Sequence, residues 1–273
     1  MRTNLHKLNI VGAVMIFQEG EYCRQTLEWL CNYCDRVIIL LDNHDGDTEQ
    51  IAFEYKDRFN GKVNLIYSTE PVNLDKNVIQ GQIKKRFKLR QNFIREQVID
   101  KLKELHKEWP VDLFIFLDSD EVPINQFPEV LEEFWDRPER YMMTGFVEPF
   151  EDYQTLIYQK MSPHGRVYKY DPEISAHPYT TRTRYNPYGK ERAWKVRNLI
   201  VHLCHFDEGR RKRRQFFDNV DFVNESAGFD VWKLPKDVRE MTYKELADYQ
   251  PGAHGAESVF KPIKIEEYLK NKK

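Results

Sequence analysis

Residues 111–123 read VDLFIFLDSDEVP, and the fold turns on how this stretch is taken. The apolar run 113–117 is too short for an independent helix and rich in β-formers, so it is expected to be a buried strand. It ends in three carboxylates within four residues, Asp118, Asp120 and Glu121. Carboxylates at that spacing repel one another, and the commonest relief is a hard divalent cation, which prefers oxygen ligands. That points to metal-assisted chemistry on an anionic substrate. The plainer alternative is a surface turn whose acids are solvated.

Composition bounds what surrounds this stretch. A chain of 273 residues buries a sizeable core as one large domain, or as one domain with an appendage. Hydrophobic content of 41%, aromatic content of 14% and a net charge of −2 describe an ordinary soluble protein, too weakly basic for bulk nucleic-acid binding. No apolar stretch approaches the roughly 20 residues that span a bilayer, and the opening MRTNLHKLN lacks a secretion signal's apolar core. The expected location is therefore cytoplasmic. Cys31 and Cys34 form a lone CxxC with no second ligand pair at matching spacing, which predicts reduced, partly buried thiols rather than zinc.

Upstream of the acidic strand, helix and strand alternate. Residues 9–17 read as a buried strand, 21–33 as a helix, and 35–41 as a second buried strand ending at Asp42. A polar loop at 43–48, a helix at 49–59 and a strand at 62–67 continue the pattern. The expected fold class is α/β, with a mostly parallel Rossmann-like sheet flanked by helices. A long helix at 78–109, apolar at Ile83, Phe87, Phe93, Ile94, Val98, Leu102 and Leu105, leads into the acidic strand. From 141 to 203 the chain is rich in Tyr, Pro and Arg, with short β-like runs such as GRVYKY and RNLIVHL, and reads as irregular strands and loops closing over a site. The expected organisation is one domain over 1–233, in halves 1–123 and 124–233, with an appendage at 234–273.

In an open parallel sheet, ligands bind outside the carboxyl ends of the strands. Glu19, Asp42 and the Asp118, Asp120, Glu121 group each follow a predicted strand end, so one rim should collect them. No glycine-rich loop follows strand one, so both the Walker and the dinucleotide fingerprints are missing. A cation on Asp118 and Asp120 would instead bridge a diphosphate, with Lys85, Arg86 and Arg90 of the long helix adding positive charge. The alternative for that helix is a solvated basic face.

In their order, MIFQEGEY, RVIILLDNHDGDT, LRQNFIRE and FIFLDSDE, spanning residues 15–121, resemble glycosyltransferases of the GT-A fold, particularly the family 2 group. DNHDGDT resembles that family's acidic loop and DSD its DxD motif. The resemblance implies transfer of a sugar from a nucleotide-diphosphate donor, such as a UDP-sugar, to a hydroxyl acceptor, with Mn2+ or Mg2+. It implies that 1–123 binds the nucleotide sugar and that 124–233 closes over the acceptor. Asp42 would hold the base or ribose, Arg90 and Asn92 would flank the donor, Glu19 would lie at its mouth, and Asp118 and Asp120 would grip metal and diphosphate. LIVHLCHFDEGRR resembles a late H-[YF] motif, which makes His205 a candidate metal or phosphate ligand; a buried histidine beside a strand is the equal alternative. Where related enzymes often carry a His-Glu pair, His177 is followed here by Pro178, which leaves the base unassigned. Among Glu148, Glu151 and Asp152 of VEPFEDY, Asp152 or Glu151 is the candidate catalytic base, against the reading of solvated loop acids.

Two rivals remain. Asp118, Asp120 and Val122 also satisfy the DxDx[TV] pattern of haloacid dehalogenase-type phosphatases, with Asp118 as nucleophile, although that motif normally ends the first strand. A catalytically silent sugar-binding protein is the other. The basic run Arg210 to Arg214 suits a phosphate-bearing acceptor, a peripheral membrane contact or a nucleic acid acceptor. Near-neutral net charge favours a glycan or lipid-linked acceptor.

Overall fold

Strand β1 (Ile10–Ile16) runs between two parallel neighbours, β2 (Arg36–Leu41) and β4 (Leu113–Asp118). The computed structural model describes residues 8–17, 20–42, 46–68, 80–157, 164–176, 183–185, 193–203, 206, 230–249, 263–264 and 267–268, with the backbone alone for 80–93, 176, 183–185, 197, 230 and 247–249. The chain divides into two compact units. One comprises 1–120, 134–142 and 165–194; the other comprises 121–133, 143–164 and 195–273.

In the first unit β1 is apolar at every position because helices cover both of its faces. On one face Val11 and Ala13, with Ile38, Leu40, Phe114 and Phe116 of the neighbouring strands, pack against Ile94, Val98, Ile99 and Leu102 of α3 (Gln80–Glu108). On the other, Gly12 meets α1 (Cys23–Tyr33) and the residue that follows it. A Cβ at Gly12 would lie 2.7 Å from Cys34 Sγ and 2.7 Å from Leu30 Cδ2. Parallel β3 (Val63–Tyr67) extends the sheet beyond β2, and β8 (His164–Lys169) joins β4 antiparallel, giving the order β3-β2-β1-β4-β8. The α/β class and the parallel sheet expected from the sequence are both present.

Helix α2 (Gly46–Arg58) starts before the expected position 49. Asp47 and Glu49 then stand in its first turn, where carboxylates favour the positive end of the helix dipole. Thr48 is buried and accepts the Gly20 N–H at 2.9 Å through its hydroxyl.

The second unit is antiparallel. In it β6 (Tyr141–Phe150), β7 (Asp152–Ile157), β12 (Asp230–Lys233) and β13 (Ile263–Lys264) pair in that order, and β11 (Ala193–His202) pairs with β6 and with β5 (Glu121–Pro123). Phe150, Ile157, Val231 and Tyr268 form a core there. Two of these strands are ten residues long, where the sequence suggested short irregular runs. The reason lies in β6, whose buried positions include Thr144, Gly145, Glu148 and Pro149, so apolar alternation is hidden. Of the tail, Leu234, Val238, Met241, Leu246 and Tyr268 are buried.

The close approach of β1 to α1 is testable. Gly12→Ala has to displace a leucine methyl and a thiol in a filled interior, which costs about 1–3 kcal/mol. Urea unfolding of the variant should show a lower midpoint and an unfolding free energy reduced by that amount.

Candidate functional site

Parallel register decides which residues meet at the strand ends. Met15 pairs with Asp118, Ile16 pairs with Leu41, and the Asp42 N–H donates to the Ile16 carbonyl at 2.9 Å. Asp42 and Asp118 therefore stand on one carboxyl rim, as the sequence predicted. Asp42 is buried, and so are Ser119 and Asp120 in the turn that follows β4. That turn is tied down from α1: the buried Thr26 hydroxyl donates to the Ser119 carbonyl at 2.9 Å. A solvated surface turn is thus not what the DSD sequence forms. Glu121 is buried too, as the first residue of β5 in the second unit.

The side-chain alternation of β4 carries Phe114, Phe116 and Asp118 on one face, the face covered by α3. Arg166 precedes Tyr168 by two residues on β8, and Tyr168 packs in the same cluster as Phe114, so Arg166 shares that face. Its Nη2 donates to Asp118 Oδ2 at 2.6 Å. From α3, Arg95 lays its guanidinium 4.1 Å over the Phe116 ring, with Nη2 4.0 Å from Asp118 Oδ1. Both arginine side chains are 3% exposed while that of Asp118 is 42% exposed. The aspartate is the outward end of a buried cationic stack.

Arg95 and Arg166 were not singled out in the sequence. A signal for Arg95 was present, because it stands three, four and seven residues before Val98, Ile99 and Leu102 and so falls on the apolar stripe of the helix. A lone arginine in GRVYKY offers none. Arg90 and Asn92 lie on the first half of α3, where only the backbone is described. Glu19, His177, His205 and the run 210–214 lie outside the described residues.

The candidate bases belong to the second unit. Glu151 occupies the turn between β6 and β7 with φ 65°, in the left-handed region. Asp152 opens β7 with Oδ2 3.5 Å from Lys233 Nζ. Burial pushes its carboxyl up, but hydrogen bonds from Thr155 and the Gln154 N–H, together with Lys233, outweigh this and hold it below the usual range. Such a carboxylate is a weak proton acceptor. Glu148, the third acid of VEPFEDY, has a partner in the same unit that the sequence did not single out: His202 Nδ1 is 3.1 Å from Glu148 Oε1, with Glu148 2% exposed.

No family model and no curated protein matches the sequence. Among solved structures, residues 1–349 of TarS from S. aureus are similar at 13% identity and TM-score 0.41, over 72% of this chain and 60% of that one. A mannosyltransferase from Pyrobaculum calidifontis, in complex with GDP-Man and Mn2+, is similar at 10% identity and TM-score 0.33, over 51% of this chain and 35% of that one. A 4-diphosphocytidyl-2C-methyl-D-erythritol synthase from Anaerococcus prevotii is similar at 10% identity and TM-score 0.31, over 59% and 70%. The chain thus spans well under two thirds of the mannosyltransferase's length and 60% of the TarS fragment's. At these values function has to be read from the chain's own residues.

Two measurements check the local structure. Thr26→Val leaves the buried Ser119 carbonyl without its hydroxyl donor and should cost about 1–2 kcal/mol in chemical denaturation. Burial pushes the Cys31 thiol up to about 12, so almost no thiolate exists at neutral pH. Mass spectrometry after iodoacetamide treatment at pH 8 should find Cys31 unmodified in the native protein and modified in urea.

Proposed function

We propose that this chain is a glycosyltransferase that moves a sugar from a nucleotide-diphosphate donor, in the first instance a UDP-sugar, to a hydroxyl on a glycan or lipid-linked acceptor. The observation that carries the reading is the shared rim, where the parallel register sets Asp42 after the end of β2 and Asp118 at the end of β4, one on either side of β1, with Asp120 in the turn that follows. A crevice at the carboxyl ends of parallel strands is where such sheets bind nucleotides, and no glycine loop competes for the phosphates. The ordered motif resemblance over residues 15–121 agrees with it.

Among the described residues no group of three or more His, Cys, Asp and Glu side chains is arranged to hold a metal. The donor chemistry of the DSD turn nevertheless fits a hard divalent cation. Two oxygen ligands are available, one of them well exposed, and Mg2+ is commonly held by one or two carboxylates with substrate phosphates and water completing the shell. Asp118 and Asp120 would hold Mn2+ or Mg2+, and His205 is the proposed third ligand. Such a cation neutralises the charge that builds on a departing diphosphate.

The chain's own residues do the rest. Asp42 takes the base or ribose, with Arg90, Asn92 and Glu19 around the donor. Glu151 is the proposed base that accepts the acceptor's hydroxyl proton as its oxygen attacks the anomeric carbon and the nucleoside diphosphate departs with the bonding electrons; Asp152, the other candidate, is the weaker acceptor because its carboxyl is held below the usual range. No described helix is long and apolar enough to cross a membrane. The proposed location is cytoplasmic, with peripheral membrane contact where the acceptor is lipid-linked.

A calorimetric screen of nucleoside diphosphates and nucleotide sugars, with and without MnCl2, decides the reading. At least one nucleotide should bind, more tightly with manganese; binding of none in either condition ends the proposal. Asp118→Ala and Asp120→Ala should each cut donor-dependent transfer by at least about a hundredfold. Capture of a phosphoryl group on Asp118 by a phosphate ester would favour the phosphatase instead.

A further inference from the structure

Asp118 is already engaged before any ligand arrives. Its Oδ2 accepts from Arg166 Nη2 at 2.6 Å, and its Oδ1 faces Arg95 Nη2 at 4.0 Å. Each carboxylate oxygen thus has a guanidinium behind it. Neither arginine can turn to solvent, for both side chains are 3% exposed, and Arg95 is held flat over Phe116 at 4.1 Å. Arginine stays charged at every pH at which the protein is folded. A cation approaching the exposed side of Asp118 therefore meets a carboxylate whose charge is spent inward, with two fixed positive charges behind it.

We propose that Arg95 and Arg166 are positioning residues that set the order of binding at this rim: they hold off a divalent cation alone and admit it only together with a diphosphate. This rests on the donor reading given above. A diphosphate brings the negative charge that Asp118 no longer presents, so the cation and the two phosphates enter as a unit, against Asp118 and Asp120 on one side and the field of the two guanidiniums beneath. Arginines that merely oriented Asp118 as a ligand would act in the opposite direction, because ordering a ligand strengthens metal binding. The sign of the effect on cation binding separates the two roles.

The test is isothermal calorimetry of MnCl2 with the protein alone, then of UDP and GDP with and without MnCl2, on the wild type and on Arg166→Gln and Arg166→Lys. Glutamine keeps a hydrogen-bond donor for Asp118 and removes the charge; lysine keeps the charge. In the wild type manganese alone should bind weakly, and at least tenfold more tightly with nucleoside diphosphate. Arg166→Gln should bind manganese alone at least tenfold more tightly than the wild type and lose most of the coupling to diphosphate. Arg166→Lys should behave as the wild type does. Where Arg166→Gln fails to fold by circular dichroism, Arg95→Gln takes its place with the same expectation. Weaker or unchanged manganese binding in the charge-removing variant overturns the ordering role while leaving nucleotide binding, and so the transferase reading, intact. If neither nucleotide nor any combination with manganese binds to the wild type, the transferase reading itself fails and the ordering role falls with it.

Discussion

The first unit depends on a single constraint, the parallel register of β1 against β2 and β4. All three strands are apolar and covered, so slipping any of them by one residue would turn its core side chains to the wrong face. A register fixed that firmly also fixes where the strands stop. Ile16, Leu41 and Leu117 are the last buried residues of their strands, and Asp42 and Asp118 follow the latter two directly. The position of Asp42 and Asp118 is therefore a by-product of packing far from any ligand, and Thr26 extends it one residue further by holding the Ser119 carbonyl.

Charge is the harder problem at that rim. Asp42, Asp118 and Asp120 lie at or beside two strand ends, two of them buried. Buried carboxylates are costly without a counter-charge, and the sequence reading supplied one from outside, as a cation. For Asp118, the partly exposed one of the three, the structure supplies a counter-charge from within, through Arg166 and Arg95. The cost of burying the guanidiniums is offset in turn by the Phe116 ring and the Asp118 carboxylate. Removing the Asp118 carboxylate would leave both guanidiniums charged and buried.

What could be read from the sequence follows from the same physics. Strands β1, β2 and β4 were legible because both their faces are covered, which gives continuous apolar runs with sharp ends. The rim acids were legible because an acid directly after such a run has one place to go. The second unit was not, since β6 hides its alternation behind Thr144, Glu148 and Pro149, and the Glu148 and His202 pair joins residues far apart in the chain. Arg166 escaped for a related reason. Its partner lies across a strand pair that brings together residues 48 apart, and no local pattern in GRVYKY announces a buried cation.

On the proposed reading, Asp118 both accepts an internal arginine and serves an external ligand, a compromise between two demands. A free, flexible aspartate would bind cations readily but would spread over several rotamers and lose that binding to entropy. An aspartate fully enclosed by arginines would be rigid and useless to a ligand. Asp118 stands between these limits: its inner side is fixed by a 2.6 Å hydrogen bond, and its side chain still exposes 42% of its surface. Rigidity is obtained there by spending part of the negative charge, so whatever binds at the rim must bring the remainder with it. A ligand that carries its own negative charge meets that requirement, and a bare cation does not.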